Sequence, residues 1–232
     1  MIISHSKKFI FFRVAKTGST AGEFLLRMSG AFDLTTDSFT QQHWARLPAI
    51  NPTWPSGVSV NWAHATPQQL IDHGVLTIQQ LREYACYAFL RPMEDRFVSS
   101  CLHGMKAGNW GRLDSMGLKP EAFMKRWRRM DNLVIEGESI VGRPQVDWFF
   151  VGDEQVVTPL NFTNYDDELK KVLASVSGHV FGEIPRLNAN NSLPQNREEW
   201  MRGVWDQYPE VRDDINTRYA ADKQFYEDNF NT

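Results

Sequence analysis

Two apolar runs interrupt the otherwise mixed pattern of the chain. Residues 8–14 read Lys-Phe-Ile-Phe-Phe-Arg-Val, and residues 86–90 read Cys-Tyr-Ala-Phe-Leu. Neither alternates apolar with polar positions as a half-exposed strand would, so both predict strands buried on two faces, the pattern of a parallel sheet. A short polar stretch and then a helical pattern follow each run. After the first, residues 21–28 place Phe24, Leu25 and Met28 on one helical face. After the second, residues 94–106 have helical character. Thr66-Pro67-Gln68-Gln69 combines an N-cap threonine, proline at the first helical position and glutamine at the capping-box position, with Gly74 closing the helix. Thr77 with Gln80 opens another helix in the same way. Further on, residues 155–158 suit a strand. Residues 120–130 and 166–176 suit helices, the latter with Leu169, Val172, Leu173 and Val176 at helical spacing. Asn196 with Glu199 caps a later helix, and Pro209 starts a long one running toward Tyr226. Residues 32–62 lose all periodicity among Pro48, Pro52, Pro55 and Gly57, and so long an irregular stretch suits a segment that binds something or is disordered. Alternating strands and helices predict an α/β fold, a single domain over residues 1–232 with a short, mostly parallel sheet flanked by helices.

Charge narrows the choice of partner. The 232 residues carry 25 Lys plus Arg and 28 Asp plus Glu, a net charge of −3, which argues against a nucleic-acid binder but leaves room for a small anion held by a few local donors. No apolar run approaches the ~20 residues of a membrane span, and no long apolar segment marks a signal peptide. Two cysteines, Cys86 and Cys101, make neither a disulfide framework nor a metal-type pair. The expectation is a cytoplasmic, reduced protein without a metal; the oligomeric state leaves no mark on the sequence.

Two loops carry candidate chemistry. Lys16, Thr17, Gly18, Ser19 and Thr20 follow the first strand and open the next helix, where backbone N–H groups and a helix N-terminus converge on an anion. The order differs from a Walker A loop, since the lysine precedes the glycine by two positions. After the second strand come Arg91, Pro92, Arg96, Ser99 and Ser100. Arg91 leaves the strand end, where open α/β sheets bind ligands, and Ser99 stands two helical turns further on. The ordinary alternatives are a surface turn with an N-cap for the first loop and a solvated helix start for the second.

With these residues in place, the chain resembles the sulfotransferases that use 3′-phosphoadenosine 5′-phosphosulfate (PAPS). Val14-Ala15-Lys16-Thr17-Gly18-Ser19-Thr20 is similar to their P-loop-like 5′-phosphosulfate loop, with alanine where proline usually precedes the lysine. The segment from Leu90 to Ser100 resembles their 3′-phosphate motif: Arg91, Arg96 and Ser99 are in register, and Pro92 stands one place early. His64-Ala65-Thr66, residues 184–188 and residues 219–230 resemble the carbohydrate branch that includes the chondroitin and heparan 2-O enzymes.

The resemblance implies sulfuryl transfer from PAPS to a hydroxyl-bearing acceptor, a glycan by the branch. Lys16 would contact the bridging oxygen and 5′-phosphate, Thr17, Gly18, Ser19 and Thr20 would hold the phosphosulfate, and Arg91 and Ser99 the 3′-phosphate. His64 is the candidate general base, because a neutral imidazole can take the acceptor's proton, and His43 is the alternative. Lys119 to Met130 adds a helix with Phe123, Trp127 and Met130 on one face and basic residues on the others: a wall for an anion, or an ordinary solvated face. Trp44, Trp54 and Trp62 in the irregular stretch are candidates for stacking on sugars. Two further readings are a nucleotide-dependent phosphotransferase of related architecture and a non-catalytic module that binds a nucleotide or glycan.

Overall fold

A computed structural model describes residues 1–29, 38–39, 63–106, 134–135, 138–139, 142–178, 182–184, 202–203, 205–206 and 208–230. They group into two compact units, residues 1–90 with 145–187 and residues 91–144 with 188–232. Most of residues 32–62, with His43, Trp44, Trp54 and Trp62, lie outside the described residues, as do residues 120–130, 185–188 and the Asn196 cap.

The first unit is α/β. Its sheet has the order β3-β1-β2-β4-β9, where β1 is Ile2–Ser4, β2 Phe9–Phe11, β3 Ser38–Phe39, β4 Ala85–Leu90 and β9 Thr158–Asn161. β2, β4 and β9 pair in parallel, while β1 pairs antiparallel with both β2 and β3, so four of the five strands share one direction. The expectation of a short, mostly parallel sheet therefore holds for strand direction, while two of the four pairings are antiparallel. The β2–β4 register sets Phe9, Ile10 and Phe11 against Ala85, Cys86 and Tyr87, and the Phe12 amide extends it by donating to the Tyr87 carbonyl at 2.8 Å.

Both faces of β2 are covered, which is why its sequence does not alternate. Phe9 and Phe11 join Phe89 and Leu160 in a core closed by Leu25 and Leu26 of α1 (Ser19–Met28) and by Leu169, Val172 and Leu173 of α5 (Tyr165–Ser177). Ile10 and Phe12 point the other way by the period of the strand and are also fully buried. Met28 departs from the expected helical face: it is 68% exposed, and Leu26 takes its place in the core. The expected strand at 155–158 is two pieces, β8 (Glu154–Gln155), which pairs with β7 (Phe150–Val151), and β9.

Two short helices precede β4, α2 (Pro67–Asp72) and α3 (Ile78–Glu83), and each opens with the capping box expected of it. In each, the threonine hydroxyl accepts from the amide of the third helical residue, and that glutamine's side chain accepts from the threonine amide. Gly74 closes α2 with φ +67°, a left-handed angle that favours glycine.

The second unit is helical where described. α4 (Met93–Lys106), α6 (Pro209–Arg218) and α7 (Ala220–Phe230) are accompanied by a small ribbon of β5 (Val134–Ile135) and β6 (Glu138–Ser139). The long helix expected from Pro209 is broken at Tyr219, whose buried hydroxyl donates to the Gly142 carbonyl at 2.7 Å. Among the described residues no helix is long and apolar enough to cross a membrane.

The two capping boxes share a chemistry and differ in burial, Thr66 being 2% exposed and the Thr77 box solvated. Removing a cap from water-accessible backbone costs about 0.5–1 kcal/mol, whereas the same loss in a buried site leaves donors that water cannot reach. Thr77→Ala is expected to lower unfolding free energy by about 0.5–1 kcal/mol and Thr66→Ala by about 2 kcal/mol. Urea unfolding with unchanged m-values measures both.

Candidate functional site

The sheet's winding reverses between β2 and β4. The chain leaving β2 goes through α1 to β3 on one side, and the chain leaving β4 goes on to β9 on the other. Because β2 and β4 are adjacent and parallel, their carboxyl ends lie at the same sheet edge, where open α/β sheets form a ligand crevice. Residues 15–20 leave the sheet at that point.

The loop turns through two left-handed residues, Lys16 at φ +68° and Gly18 at φ +71°. Gly18 is also the N-cap of α1, without a side chain to satisfy the helix's first N–H groups. Its carbonyl receives the Ala21 amide at 3.1 Å and the Tyr165 hydroxyl at 2.9 Å. Burial pushes the Tyr165 phenol's ionisation up, so this donor keeps its proton. The Tyr165 ring lies so near Gly18 that a Cβ there would stand 2.8 Å from its Cε2. Tyr165 in turn stacks on Phe89 of β4, ring centroids 4.4 Å apart, which ties the loop's shape to the sheet.

The loop's three hydroxyls are not equivalent. Thr17 and Ser19 are buried, and both donate back to the Val14 carbonyl, at 2.9 and 3.3 Å. Thr20 is half-buried, and its oxygen accepts from Arg13 Nη2 at 3.1 Å. An arginine only donates, so the Thr20 hydroxyl proton remains for an acceptor. Lys16, also half-buried, adds its charge to the same region.

Arg13 is the residue that the sequence did not mark. It is 6% exposed at the end of β2, its Nη1 is 2.9 Å from Glu23 of α1, and the α-amino group of Met1 is 3.2 Å from the same carboxylate oxygen. Its carbonyl also faces His64 Nδ1 at 2.7 Å. A carbonyl can only accept, so Nδ1 carries the proton and donates, which leaves the Nε2 lone pair as the imidazole's basic site. Burial, the Arg13 charge and, more weakly, that of Lys16 hold the His64 pKa well below the ordinary 6.5, even though the hydrogen bond to Arg13 opposes them. The His64 carbonyl is fixed as well, accepting from the buried Trp148 indole at 3.1 Å. The loop and His64 are thus brought together in one unit. The signal that could have found Arg13 was a charge inside an apolar run, ten residues before Glu23 on a mostly apolar helix face.

The second motif belongs to the second unit. Arg91, the first residue after β4, is 5% exposed and donates from Nε to Asp95 at 2.6 Å. Asp95 and Ser99 stand one helical turn apart on α4, so Arg91, Asp95 and Ser99 follow one line at four-residue spacing. Ser99 is half-buried; among the described residues its hydroxyl has no hydrogen-bond partner. Arg96 turns inward: it is fully buried, donates to the Arg143 carbonyl at 3.0 Å and lies 3.9 Å from Asp222, which makes it a core residue of this unit.

Compared with family models, with curated proteins and with solved structures, the chain matches none of them.

Two outcomes follow from this geometry. Gly18→Ala adds a left-handed alanine, a cost of about 1–2 kcal/mol before the clash with Tyr165, so a total loss of about 2 kcal/mol or more is expected in chemical unfolding. For His64, the unfolded chain binds a proton below pH 6.5 that the folded chain does not, so stability falls as pH drops through that window. His64→Asn keeps a donor for the Arg13 carbonyl but cannot titrate, so its stability should fall less than the wild type's between pH 7 and pH 5.

Proposed function

We propose that this protein is a PAPS-dependent sulfotransferase acting on a hydroxyl, on a carbohydrate by its resemblance to the 2-O branch. The observation that carries the reading is that a loop with left-handed Lys16 and Gly18 opens α1 at the switch point of the sheet, with His64 hydrogen-bonded to the carbonyl of Arg13 just before it. Such a junction offers an anion a helix N-terminus and a cation, and offers an alcohol a base.

In this reading the loop is P-loop-like: the amides of Thr17, Gly18, Ser19 and Thr20 hold the 5′-phosphosulfate, and Arg91 and Ser99 take the 3′-phosphate. The acceptor oxygen attacks sulfur in line. As that S–O bond forms, the bond from sulfur to the bridging oxygen breaks, His64 Nε2 takes the hydroxyl proton, and Lys16 offsets the charge that develops on the leaving phosphate. A buried imidazole of low pKa is a weak base in the ground state. Its advantage is that it is unprotonated at neutral pH, so the acid limb of kcat/KM belongs well below pH 6.5. Asp95 must yield part of Arg91 to the donor, since carboxylate and phosphate compete for the same fork.

Thermal unfolding tests the donor site. A ligand at 100 times its Kd adds ~2.7 kcal/mol, roughly 5–10 °C in Tm for a chain of this size. The expected outcome is a shift of that order with 3′-phosphoadenosine 5′-phosphate, a small one with ADP or AMP, and loss of the shift in Arg91→Ala. Equal shifts with ADP would favour the phosphotransferase, and no shift with any nucleotide would end the reading. Sulfate transfer by His64→Ala should drop about 10²–10⁴-fold while nucleotide binding persists; retained transfer would remove His64 from the base role.

A further inference from the structure

Thr17 and Ser19 spend their hydroxyl protons on one internal carbonyl, that of Val14, and so cannot donate to an anion without breaking those bonds. Thr20 is the loop's exception. Arg13 Nη2 occupies a lone pair of its oxygen at 3.1 Å, and among the described residues nothing accepts its proton. The same guanidinium is anchored on its other branch, Nη1 to Glu23 at 2.9 Å, and both residues are buried. Glu23 lies three residues after Thr20 on α1, so the two branches of one rigid fork grip adjacent turns of one helix start. A lysine ammonium would have to meet both partners from one nitrogen, whereas the fork meets each from its own.

From this arrangement we infer that Arg13 is a positioning residue, whose guanidinium fork fixes the Thr20 side chain so that its hydroxyl proton is the loop's one side-chain O–H directed to a bound phosphate. The inference rests on the anion-binding reading of residues 16–20, and it adds a division of labour within them. Thr17 and Ser19 shape the loop, Thr20 donates from its side chain, and Arg13 acts through Thr20 without touching the ligand. Among the described residues the buried Nε of Arg13 has no hydrogen-bond partner, so the side chain's hold there comes from its two Nη groups.

The test uses two substitutions and two readouts on the full chain. Arg13→Lys keeps the cation beside Glu23 but loses the fork, and Thr20→Val keeps the shape of threonine but loses the hydroxyl. In the ligand-free protein, three-bond couplings to Thr20 Cγ2 should report a single χ1 rotamer in the wild type and rotamer averaging in Arg13→Lys. In calorimetric titration with 3′-phosphoadenosine 5′-phosphate, each single variant should bind about tenfold more weakly, the loss typical of one hydrogen bond to a charged group. The double variant should be no weaker than either single, because both changes remove the same contact. A locked Thr20 rotamer in Arg13→Lys, or losses that multiply in the double variant, would overturn the inference while leaving the donor site intact. A wild type that locks Thr20 but binds no 3′-phosphorylated nucleotide would instead overturn the sulfotransferase reading, and with it the anion half of this inference.

Discussion

Phe9, Ile10 and Phe11 pair in parallel with Ala85, Cys86 and Tyr87, and most of what this protein presents at its candidate site depends on that pairing. Two parallel neighbours release their chains at the same edge, so residues 15–20 and the end of β4 are delivered to one place by backbone hydrogen bonding alone. The aromatic contacts below this edge hold it in shape. Phe11 meets Phe89 edge-on, Phe89 stacks on Tyr165, and the Tyr165 hydroxyl caps the Gly18 carbonyl. The loop conformation is therefore an extension of sheet packing, and the left-handed angle at Gly18 is held by a ring that leaves no room for a Cβ.

Beneath the loop sits a charge cluster that costs a great deal to bury. Arg13 and Glu23 are both nearly solvent-free, and desolvating two such ions is offset only when the geometry is good and the remaining donors are used. Here the α-amino group of Met1, whose pKa burial lowers to about 5, and the Thr20 oxygen join the pair. A hydrophobic pair of the same volume would often serve stability as well, so what the ions supply is position. They fix the start of α1, and burial, with the Arg13 charge, holds the His64 pKa well below its ordinary value. A neutral histidine with its Nδ1 proton tied to a backbone carbonyl carries its basic lone pair at Nε2.

The local signals were the legible ones. Both capping boxes, the proline opening α2, the buried strands at 9–11 and 85–90 and the helix at 165–177 appear where residue spacing puts them, because each is decided within a few residues by caps, turns and periodicity. Spacing failed where a distant partner decides. Met28 suits the apolar stripe of α1 yet faces out, because the sheet below receives Leu25 and Leu26 instead. The pattern after Pro209 is continuous, yet Tyr219 breaks it, its hydroxyl held by Gly142 in a separate segment. Arg96 shares a sequence motif with Arg91, and its bond to the Arg143 carbonyl and its place beside Asp222 make it a core residue of its unit.

At the site the same division applies. By itself the sequence determined the chemistry available: a lysine, a glycine and three hydroxyls after one buried strand, an arginine after the other, and a histidine before a capped helix, all within reach of local rules. Only the tertiary structure decided how those groups are used. It turned the Thr17 and Ser19 hydroxyls inward, placed Arg13 between Thr20 and Glu23, and set His64, 51 residues away from Arg13 along the chain, on its carbonyl. The physical reason is range. Caps and periodicity are short-range properties of the backbone, whereas a proton's direction and a buried group's charge depend on the partners that folding brings up from elsewhere.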